Sequence, residues 1–469
     1  MTSLSSEIIS LNNIPGFSKL VSSPASVRKH LSSTLNIKCL QWNYKNIKEY
    51  TILKYDKKML PKLGYDTMGL LRSVITSSDG RVCCFAPPKS LSERVLLSTF
   101  HGNDEKGEGM DNRSSVNNNN EGRLLYNVEE FVDGTMINAF YDTDLDNWQI
   151  ATRSSVGAEI SFYMEKGFKP EDTFSYMFYE VCKEINFDIR SLNKEYVYSF
   201  VMQHPSNRIV KPIREKALYL VEVYKINNDD VENQTVCRVP GMVYDVVRVN
   251  AQLRHPSLFG YNIDTSSFHK IEEIRQVYAS QNTRYDIVGI IIKDNRGRRY
   301  KFRNQNYDYV KKLRGNNPKL QFQYLHLRKE KLVTQYLMYY PEHAELFDGF
   351  QKIIHAYTKA VYENYVSCFI KKEQPITEYP EKYRTIMKDV HRDIYLNRLM
   401  HTRERMNLNH VVEYVNNIPE AKLMFLTNYD LRRHTIQETV FSHKEVIDSS
   451  GAMPNSIDTK IIDTELAPI

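Results

Sequence analysis

The residues best suited to chemistry in this sequence lie in one strongly basic window, residues 296–315. The window holds eight basic residues and one acid, Asp308, a balance of +7, whereas the whole chain carries +6. Four aromatic residues are interleaved with these cations, and the combination favours a phosphate-rich partner. The alternative from charge alone is a solvated strand edge followed by a basic helix. The residues predicted to contact a polynucleotide are Arg296, Arg298, Arg299, Lys311, Lys312 and Arg314.

Residues for other kinds of catalysis do not form usable patterns. None of the six cysteines forms a C-x-x-C pair or lies at zinc spacing to a histidine. We therefore expect buried thiols in a reducing compartment, the cytoplasm. His391 and His401 are ten residues apart, which does not place a metal pair on one helix face. Ser154 lies beside no obvious His or Asp partner that would make it a nucleophile, and the sequence contains no phosphate-binding G-x-x-x-x-G-K-[ST] loop. No metal site is predicted.

The composition excludes several classes of protein. Of the 469 residues, 41% are hydrophobic and 26% are charged, with 63 basic and 57 acidic side chains. These values are typical of a globular protein and exclude wholesale disorder. No run reaches the ~18 uncharged apolar residues of a membrane span, and the polar start MTSLSSEIISLNNIPG lacks the core of a signal peptide. We therefore expect a soluble chain without a membrane partner.

Short antiparallel strands are predicted to position the basic residues. Hydrophobic alternation predicts strands at 124–132, 135–141, 148–153, 196–203, 216–224, 286–293 and 299–304. Helical patterns lie at 170–184, 243–253 and 268–279. A turn at Asn295, Arg296 and Gly297 joins the last two strands in a hairpin.

After about residue 320 the hydrophobic period changes to three and four residues. Helices are predicted over 343–372, 381–403 and 408–427. The fold class is therefore α+β, an antiparallel-sheet domain followed by an all-helical C-terminal domain. The predicted divisions are an N-terminal extension at 1–64, the sheet domain at 65–320, the helical domain at 321–435 and a flexible tail at 436–469. Segment 102–122 is almost free of apolar side chains and is predicted to be a mobile loop.

A series of segments gives the sheet domain a family resemblance. They are LLRSVITSSDGRVCCFAPPKS (70–90), EEFVDGTMINAFYD (129–142), ATRSSVGAE (151–159), SFVMQHPSNRIV (199–210), DIVGIIIKD (286–294) and RYKFRNQNY (299–307). In order and spacing they resemble the adenylyltransferase domain of ATP-dependent RNA ligases, of the tailed-phage tRNA-repair type. The match PSNRIV at 205–210 is the most specific. The helical part is similar to ligase-like proteins of large eukaryotic DNA viruses.

The resemblance implies a nucleotidyltransferase fold of the RNA and DNA ligase kind and a defined chemistry. In that family the lysine of K-x-D-G attacks the α-phosphorus of ATP and forms a lysyl-AMP intermediate. One glutamate holds the ribose, and another, just before a glycine, helps to hold the metal ion. Two basic residues in a K-x-K pattern grip the α-phosphate.

The positions that match the family's central groups have lost them. K-x-D-G corresponds to residues 131–134, so Phe131 stands at the nucleophile, followed by Asp133 and Gly134. Val201 stands at the ribose glutamate and Val288 at the metal glutamate. No lysine lies between Lys106 and Lys166, so none is expected to replace the nucleophile locally. We also expect the three apolar side chains to pack together and close the pocket.

The peripheral phosphate-binding positions of the family are retained. These remnants are Arg72, Lys89, Asp133, Gly134, Arg153, Asn207, Arg208, Lys301 and Arg303. The pattern predicts an RNA-ligase-like protein that has lost adenylyltransferase activity and binds nucleic acid or serves as a virion or assembly protein. No cofactor is then expected. The alternatives are an active ATP-dependent RNA ligase, which would need ATP and Mg²⁺, and a structural scaffold that binds no polynucleotide.

Overall fold

The computed structural model describes residues 8–60, 64–65, 67–100, 124–162, 169–228 and 230–433. It divides into two compact units, Met1–Pro318 and Lys319–Ile469. The predicted mobile loop at 102–122 and the predicted tail at 436–469 lie outside the described residues. Within these residues, no helix combines the length and the apolar character that crossing a membrane requires.

The described residues of the first unit form three sheets. Their strands are β1 Ile8–Ser10, β2 Ile37–Tyr44, β3 Lys48–Tyr55, β4 Val74–Ser77, β5 Val82–Phe85, β6 Leu91–Ser92, β7 Leu125–Glu130, β8 Thr135–Asp142, β9 Asn147–Ala151, β10 Tyr196–Gln203, β11 Ala217–Asn227, β12 Thr235–Arg238, β13 Leu258–Asp264, β14 Gly289–Asp294 and β15 Arg299–Arg303. The four-stranded sheet has the order β2-β3-β4-β5, the six-stranded sheet β1-β12-β11-β10-β8-β9 and the five-stranded sheet β13-β7-β14-β15-β6. The strands of these sheets pair antiparallel except β15 with β6.

Helices cover the outer faces of these sheets. They are α1 Phe17–Ser22, α2 Ala25–Thr34, α3 Glu93–Phe100, α4 Phe174–Glu184, α5 Pro240–Val249, α6 Phe268–Tyr278 and α7 Gln305–Arg314. Apolar residues of α4 and α5 pack on the six-stranded sheet, and those of α3 and α6 pack on the five-stranded sheet. Residues 8–55 contribute to the sheets directly, because β1 pairs with β12 and β3 pairs with β4.

The predicted α+β class with antiparallel sheets is confirmed. Strand β10 has the predicted bounds, and β14 and β15 form the predicted hairpin, in which Ile291 lies opposite Lys301. Gly289 shows why glycine begins β14. Its φ is +127°, and a Cβ atom there would lie 2.1 Å from the carbonyl oxygen of Phe302. No residue with a side chain fits that approach.

The second unit is helical, as predicted. Its described α-helices of seven residues or more are α8 Leu320–Lys329, α9 Val333–Tyr339, α10 Ala344–Tyr365, α11 Glu381–Val390, α12 Leu408–Asn417 and α13 Glu420–Thr427. Helix α10 buries Ile354, Tyr357 and Val361 at three- and four-residue steps, the spacing of one helix face. Two stretches, Val366–Lys371 and His391–Leu399, continue α10 and α11 with the wider π-helical turn.

Candidate phosphate-binding site

A cavity of about 220 Å³ lies between the six-stranded and five-stranded sheets of the first unit. Its walls combine the ends of β7 and β15 with the middle of β10, β11 and β14. Seven cationic side chains line it: Arg72, Lys89, Arg153, Lys293, Arg299, Lys301 and Arg303. Two carboxylates, Glu129 and Glu130, also reach it. The cavity is therefore strongly positive, the condition for binding an anion.

Strand β15 aims three of these cations into the cavity because side chains of a strand alternate between its faces. Arg299, Lys301 and Arg303 share the cavity face. Tyr300 and Phe302 point the other way and are 0% and 1% exposed in the core below the sheet. The basic residues of the first part of the window thus belong to an internal cavity.

Five of the cations, which we call the unpaired set, have no carboxylate partner among the described residues. They are Arg72, Lys89, Arg153, Arg299 and Lys301. In Arg299, Nε and Nη1 are buried and have no hydrogen-bond partner in the described part of the chain. The Lys89 amine donates only to a neutral group, the carbonyl oxygen of Ser90, at 3.0 Å. An anion entering the cavity would meet donors that form no ion pair with a carboxylate in the described part of the chain.

Burial, and then the crowding of like charges, lowers the pKa values of three members of the unpaired set. Burial and the neighbouring Lys301 lower the pKa of Lys89 to about 8. Burial and Arg303 lower the pKa of Lys301, and burial together with Arg299 lowers that of Arg72 to about 10. In each case burial and a neighbouring cation disfavour the charged form of the side chain, and a bound phosphate would favour it.

A second group of buried charges, the paired network, forms the adjoining wall. The Lys293 amine lies 2.8 Å from Glu129 Oε2 and 2.5 Å from Glu222 Oε1, and it also donates to the Val221 carbonyl oxygen at 3.2 Å. Arg238 holds the same Glu222 at 2.7 Å. Burial alone would raise the pKa of Glu222, but Arg238 and Lys293 together lower it well below its ordinary value.

The three degenerate positions do not pack together as expected. Phe131 and Val201 line the cavity, but Val288 does not. Val201 packs in a small apolar cluster with Val132 and Tyr219, whereas the Phe131 ring lies 5.1 Å below the Arg303 guanidinium. Val288 is buried behind the wall, where its carbonyl oxygen accepts the Asn304 N–H. The predicted closure is wrong because these side chains face different neighbours and do not fill the cavity.

The residues after Phe131 anchor the loop between β7 and β8. Asp133 is buried, and its carboxylate accepts the Tyr307 hydroxyl at 2.8 Å and the Lys211 N–H at 2.9 Å. A Cβ atom on Gly134, whose φ is +156°, would lie 2.4 Å from the Met202 carbonyl oxygen. The structure therefore gives both residues a role in shaping the turn.

Two further remnants also stand outside the cavity lining. The Asn207 amide donates to the Thr135 hydroxyl at 2.7 Å, and Arg208 Nε donates to the Val210 carbonyl oxygen at 3.0 Å. Both bonds hold the chain near the end of β10. The bond from Asn207 connects the end of β10 to the start of β8, and neither Asn207 nor Arg208 lines the cavity.

The second half of the basic window differs from the prediction. Arg314, expected to follow a polynucleotide backbone, is 6% exposed and stacks on Phe162 at 4.0 Å. Lys311 is half-buried, and burial together with Arg303 lowers its pKa, whereas Lys312 is exposed. Of the four interleaved rings, Tyr309 is exposed and the other three are core residues. Helix α7 turns one side of the window inward, which a count of charges does not reveal.

The hairpin end of the window also lies outside the cavity. The Arg296 N–H donates to Asp294, and the Arg298 guanidinium forms an ion pair with the same carboxylate at 2.7 Å. These two residues therefore stabilise the turn between β14 and β15. Only Arg299 of the predicted polynucleotide-contacting set lines the cavity.

Sequence reasoning also missed several residues of this site. No lysine is close to Phe131 in sequence, yet Lys89, Lys293 and Lys301 line the same cavity from other parts of the chain. Glu222 and Lys293 were missed as well. Their signal was a charged residue inside an apolar strand, in YLVEVY and in GIIIKD, where an unpaired charge is costly.

The family resemblance implies ATP and a divalent metal ion, and the carboxylates present do not fit the metal. Glu129 is bound to Lys293, and Glu130 accepts the Ser257 hydroxyl at 3.1 Å. Among the described residues, no three His, Cys, Asp or Glu side chains form a group suited to a metal ion. Val201 and Val288, the positions that the resemblance assigns to carboxylates, offer a hard cation no oxygen ligand from their side chains.

Comparisons with known proteins give distant structural likenesses. No family model and no curated protein matches the chain. An archaeal ATP-dependent RNA ligase matches in two forms. The first has 12% identity and a TM-score of 0.37 over 72% of this chain and 73% of that one. The second form has 11% identity and a TM-score of 0.36, and the match covers 89% of this chain and 98% of that one.

The RNA ligase of Naegleria gruberi, as a mutant with ATP and Mn, matches at 13% identity and a TM-score of 0.29. The match covers 41% of this chain and 52% of that one, so the chain spans about half the length of the Naegleria ligase. At such low scores the superpositions are loose, and the interpretation of the site rests on its own residues.

Proposed function

We propose that this chain is an RNA-ligase-like protein without adenylyltransferase activity whose cavity binds the phosphates of RNA or another polynucleotide. The observation that carries the proposal is the unpaired set, five cations around one cavity that also contains Phe131 and Val201. Uncompensated cations recognise phosphate, and phosphate contacts supply most of the affinity for nucleic acid. A phenyl ring at the nucleophile position supplies no amine for a covalent intermediate.

The narrower parts of the prediction remain predictions from sequence. They are the likeness to the tailed-phage tRNA-repair type, the similarity to ligase-like proteins of large eukaryotic DNA viruses, a virion or assembly partner and a reducing compartment. No cofactor is needed for the proposed binding, because the cations that receive the phosphates are side chains of the chain itself.

The binding proposal is tested by a filter-binding titration of single-stranded RNA at several salt concentrations. The variant Lys89→Gln/Lys301→Gln removes two members of the unpaired set. We expect weaker binding and a log–log salt slope that is shallower by roughly 1.4, since each phosphate contact on a single strand contributes about 0.7. The control Lys352→Gln/Lys359→Gln removes the same charge from lysines that are 75% and 72% exposed. Equal loss in both variants, or in neither, would contradict binding through the cavity, and absence of salt-dependent RNA binding by the wild type would favour the scaffold alternative.

The loss of activity is tested separately with labelled ATP and either Mg²⁺ or Mn²⁺, followed by a denaturing gel. We expect no label on the protein. A label that survives denaturation and maps to Lys89 would support the active-ligase alternative, because Lys89 lines the cavity and its lowered pKa leaves part of the amine neutral.

A further inference from the structure

We propose that nucleobases of the bound strand stack on Tyr244, His255 and Tyr261, an aromatic platform beside the cavity. The inference rests on the proposed function, since it assigns the bases of a polynucleotide whose phosphates occupy the cavity. It also specifies the substrate class: a single strand, because only unpaired bases expose their faces to aromatic side chains.

The platform is continuous with the cavity wall. Pro256, between His255 and Ser257 in sequence, lines the cavity itself. The Ser257 carbonyl oxygen accepts the Glu130 N–H at 2.8 Å, and Leu258 lies opposite Glu129 in the pairing of β13 with β7. The segment that carries His255 and Tyr261 is therefore hydrogen-bonded directly to β7, which ends at Glu130, next to Phe131.

The rings are exposed to an extent that packing does not require. Tyr244 is 45% exposed and Tyr261 is 58% exposed. The Tyr244 ring lies 5.3 Å from that of His255, at an interplanar angle of 69°. The neighbouring Arg254 is also exposed, with its guanidinium 6.0 Å from the Tyr219 ring. Aromatic side chains next to cations are the pattern by which proteins hold single strands without reading their sequence.

The shape of β13 argues against a protein strand as the occupant. Strand β13 is an edge of the five-stranded sheet, where a peptide could add by backbone pairing. Its register is shifted twice, between Leu258 and Gly260 and again between Gly260 and Ile263. Such irregularity disrupts the regular row of donors and acceptors that an added strand needs. The positive cavity beside it selects a polyanion instead.

The test compares an RNA single strand with an abasic strand of the same length, so that the phosphates are constant and only the bases differ. The variant is Tyr244→Leu/Tyr261→Leu. Its matched control is Tyr176→Leu/Tyr179→Leu on α4, where both rings are 45% exposed. Binding is measured by fluorescence anisotropy at two salt concentrations, and circular dichroism verifies that each variant is folded.

We expect the platform variant to bind RNA at least about tenfold more weakly than the wild type does, with an unchanged salt slope. The abasic strand should bind the variant and the wild type equally well. The control variant should match wild type with both strands. Equal RNA binding by the platform variant and wild type would overturn the inference and leave the proposed function intact. Absence of salt-dependent binding of any strand by wild type would overturn the proposed function, and the inference with it.

Discussion

The unpaired set and the paired network place cations of two kinds on adjoining walls of the same cavity. In the paired network, the Lys293 amine contacts Glu129, Glu222 and a carbonyl oxygen, and Arg238 contacts Glu222 again. In the unpaired set, Arg299 on the neighbouring strand has two buried donors without a partner in the described residues. Strands β14 and β15 are hydrogen-bonded to each other, so the difference arises between adjacent strands.

The difference separates charges that stabilise the fold from charges that await a ligand. A buried ion is tolerated when partners replace the water that it has lost, and it is costly when they do not. A folded protein retains uncompensated cations where they serve binding, at some expense in stability. The comparison therefore predicts that substitutions in the two groups change stability in opposite directions.

The largest expected effect is that of Glu222→Gln in the paired network. The change leaves Arg238 and Lys293 buried with half of their counter-charge removed, and we expect a loss of roughly 3–5 kcal/mol in the free energy of unfolding. Urea denaturation measures it. The control is Glu195→Gln, which breaks an exposed ion pair with Lys225 and should cost about 0–1 kcal/mol. Similar losses in both variants would mean that the network is not held by its charges.

In the unpaired set, Arg299→Met should have the opposite effect on stability. It removes two buried guanidinium nitrogens that have no hydrogen-bond partner in the described residues and keeps much of the apolar stem, so we expect a gain of about 1 kcal/mol. RNA affinity should fall about tenfold, since a charge-assisted contact to phosphate is lost. Denaturation and binding are measured on the same preparation. A loss of both stability and affinity would mean that Arg299 stabilises the fold, which would contradict the proposed difference between the two groups of cations.

The sequence predicted the strands of this site better than it predicted the cavity that they enclose. Alternation in RYKFR was sufficient to place Lys301 and Arg303 on one face of β15, and the spacing of the family segments brought Arg72, Lys89 and Arg153 to the same cavity. These inferences depend on local periodicity and on segment order, both of which can be read from one sequence.

What the sequence did not predict depends on tertiary pairing. Lys293 and Glu222 are 71 positions apart, and their ion pair exists only because the two sheets meet at the cavity. Similarly, the inward turn of α7 buries Arg314 against Phe162, more than 150 positions earlier in the chain. Net charge in a window cannot distinguish such a residue from an exposed one.

The lowered pKa of Lys89 predicts a dependence of RNA binding on pH. A bound phosphate favours the protonated amine, so binding takes up a proton where the free Lys89 is neutral. Affinity should therefore fall as the pH rises through about 8, the pKa of the free lysine. From about pH 7.5 to about pH 9 the expected loss is roughly eightfold for one such group. The variant Lys89→Arg, which stays charged, should show a smaller change of RNA affinity with pH. If the variant and the wild type have the same pH profile, Lys89 does not contact the phosphate.

The smallest expected effect is on adenylation by the single substitution Phe131→Lys, which adds an eighth cation to the cavity. Because the new amine lies among like charges, its pKa should be lowered, and it is a plausible nucleophile by itself. We nevertheless expect no protein-bound AMP on a denaturing gel with labelled ATP. Val201 offers no hydrogen bond to a ribose and Val288 offers no ligand to a metal ion, and catalytic groups of this kind act as a unit.

The matched comparison for that result is the triple variant Phe131→Lys/Val201→Glu/Val288→Glu. Its glutamates restore the carboxylate positions, but Val288 is buried and does not line the cavity, so even this variant must first remodel the wall. Unfolding measurements show whether it remains folded. Labelling of the single variant at position 131 would mean that the valines do not stand at the carboxylate positions and that Glu129 or Glu130 serves instead. If the single variant is not labelled and a folded triple variant is labelled, the lost activity is assigned to all three positions together.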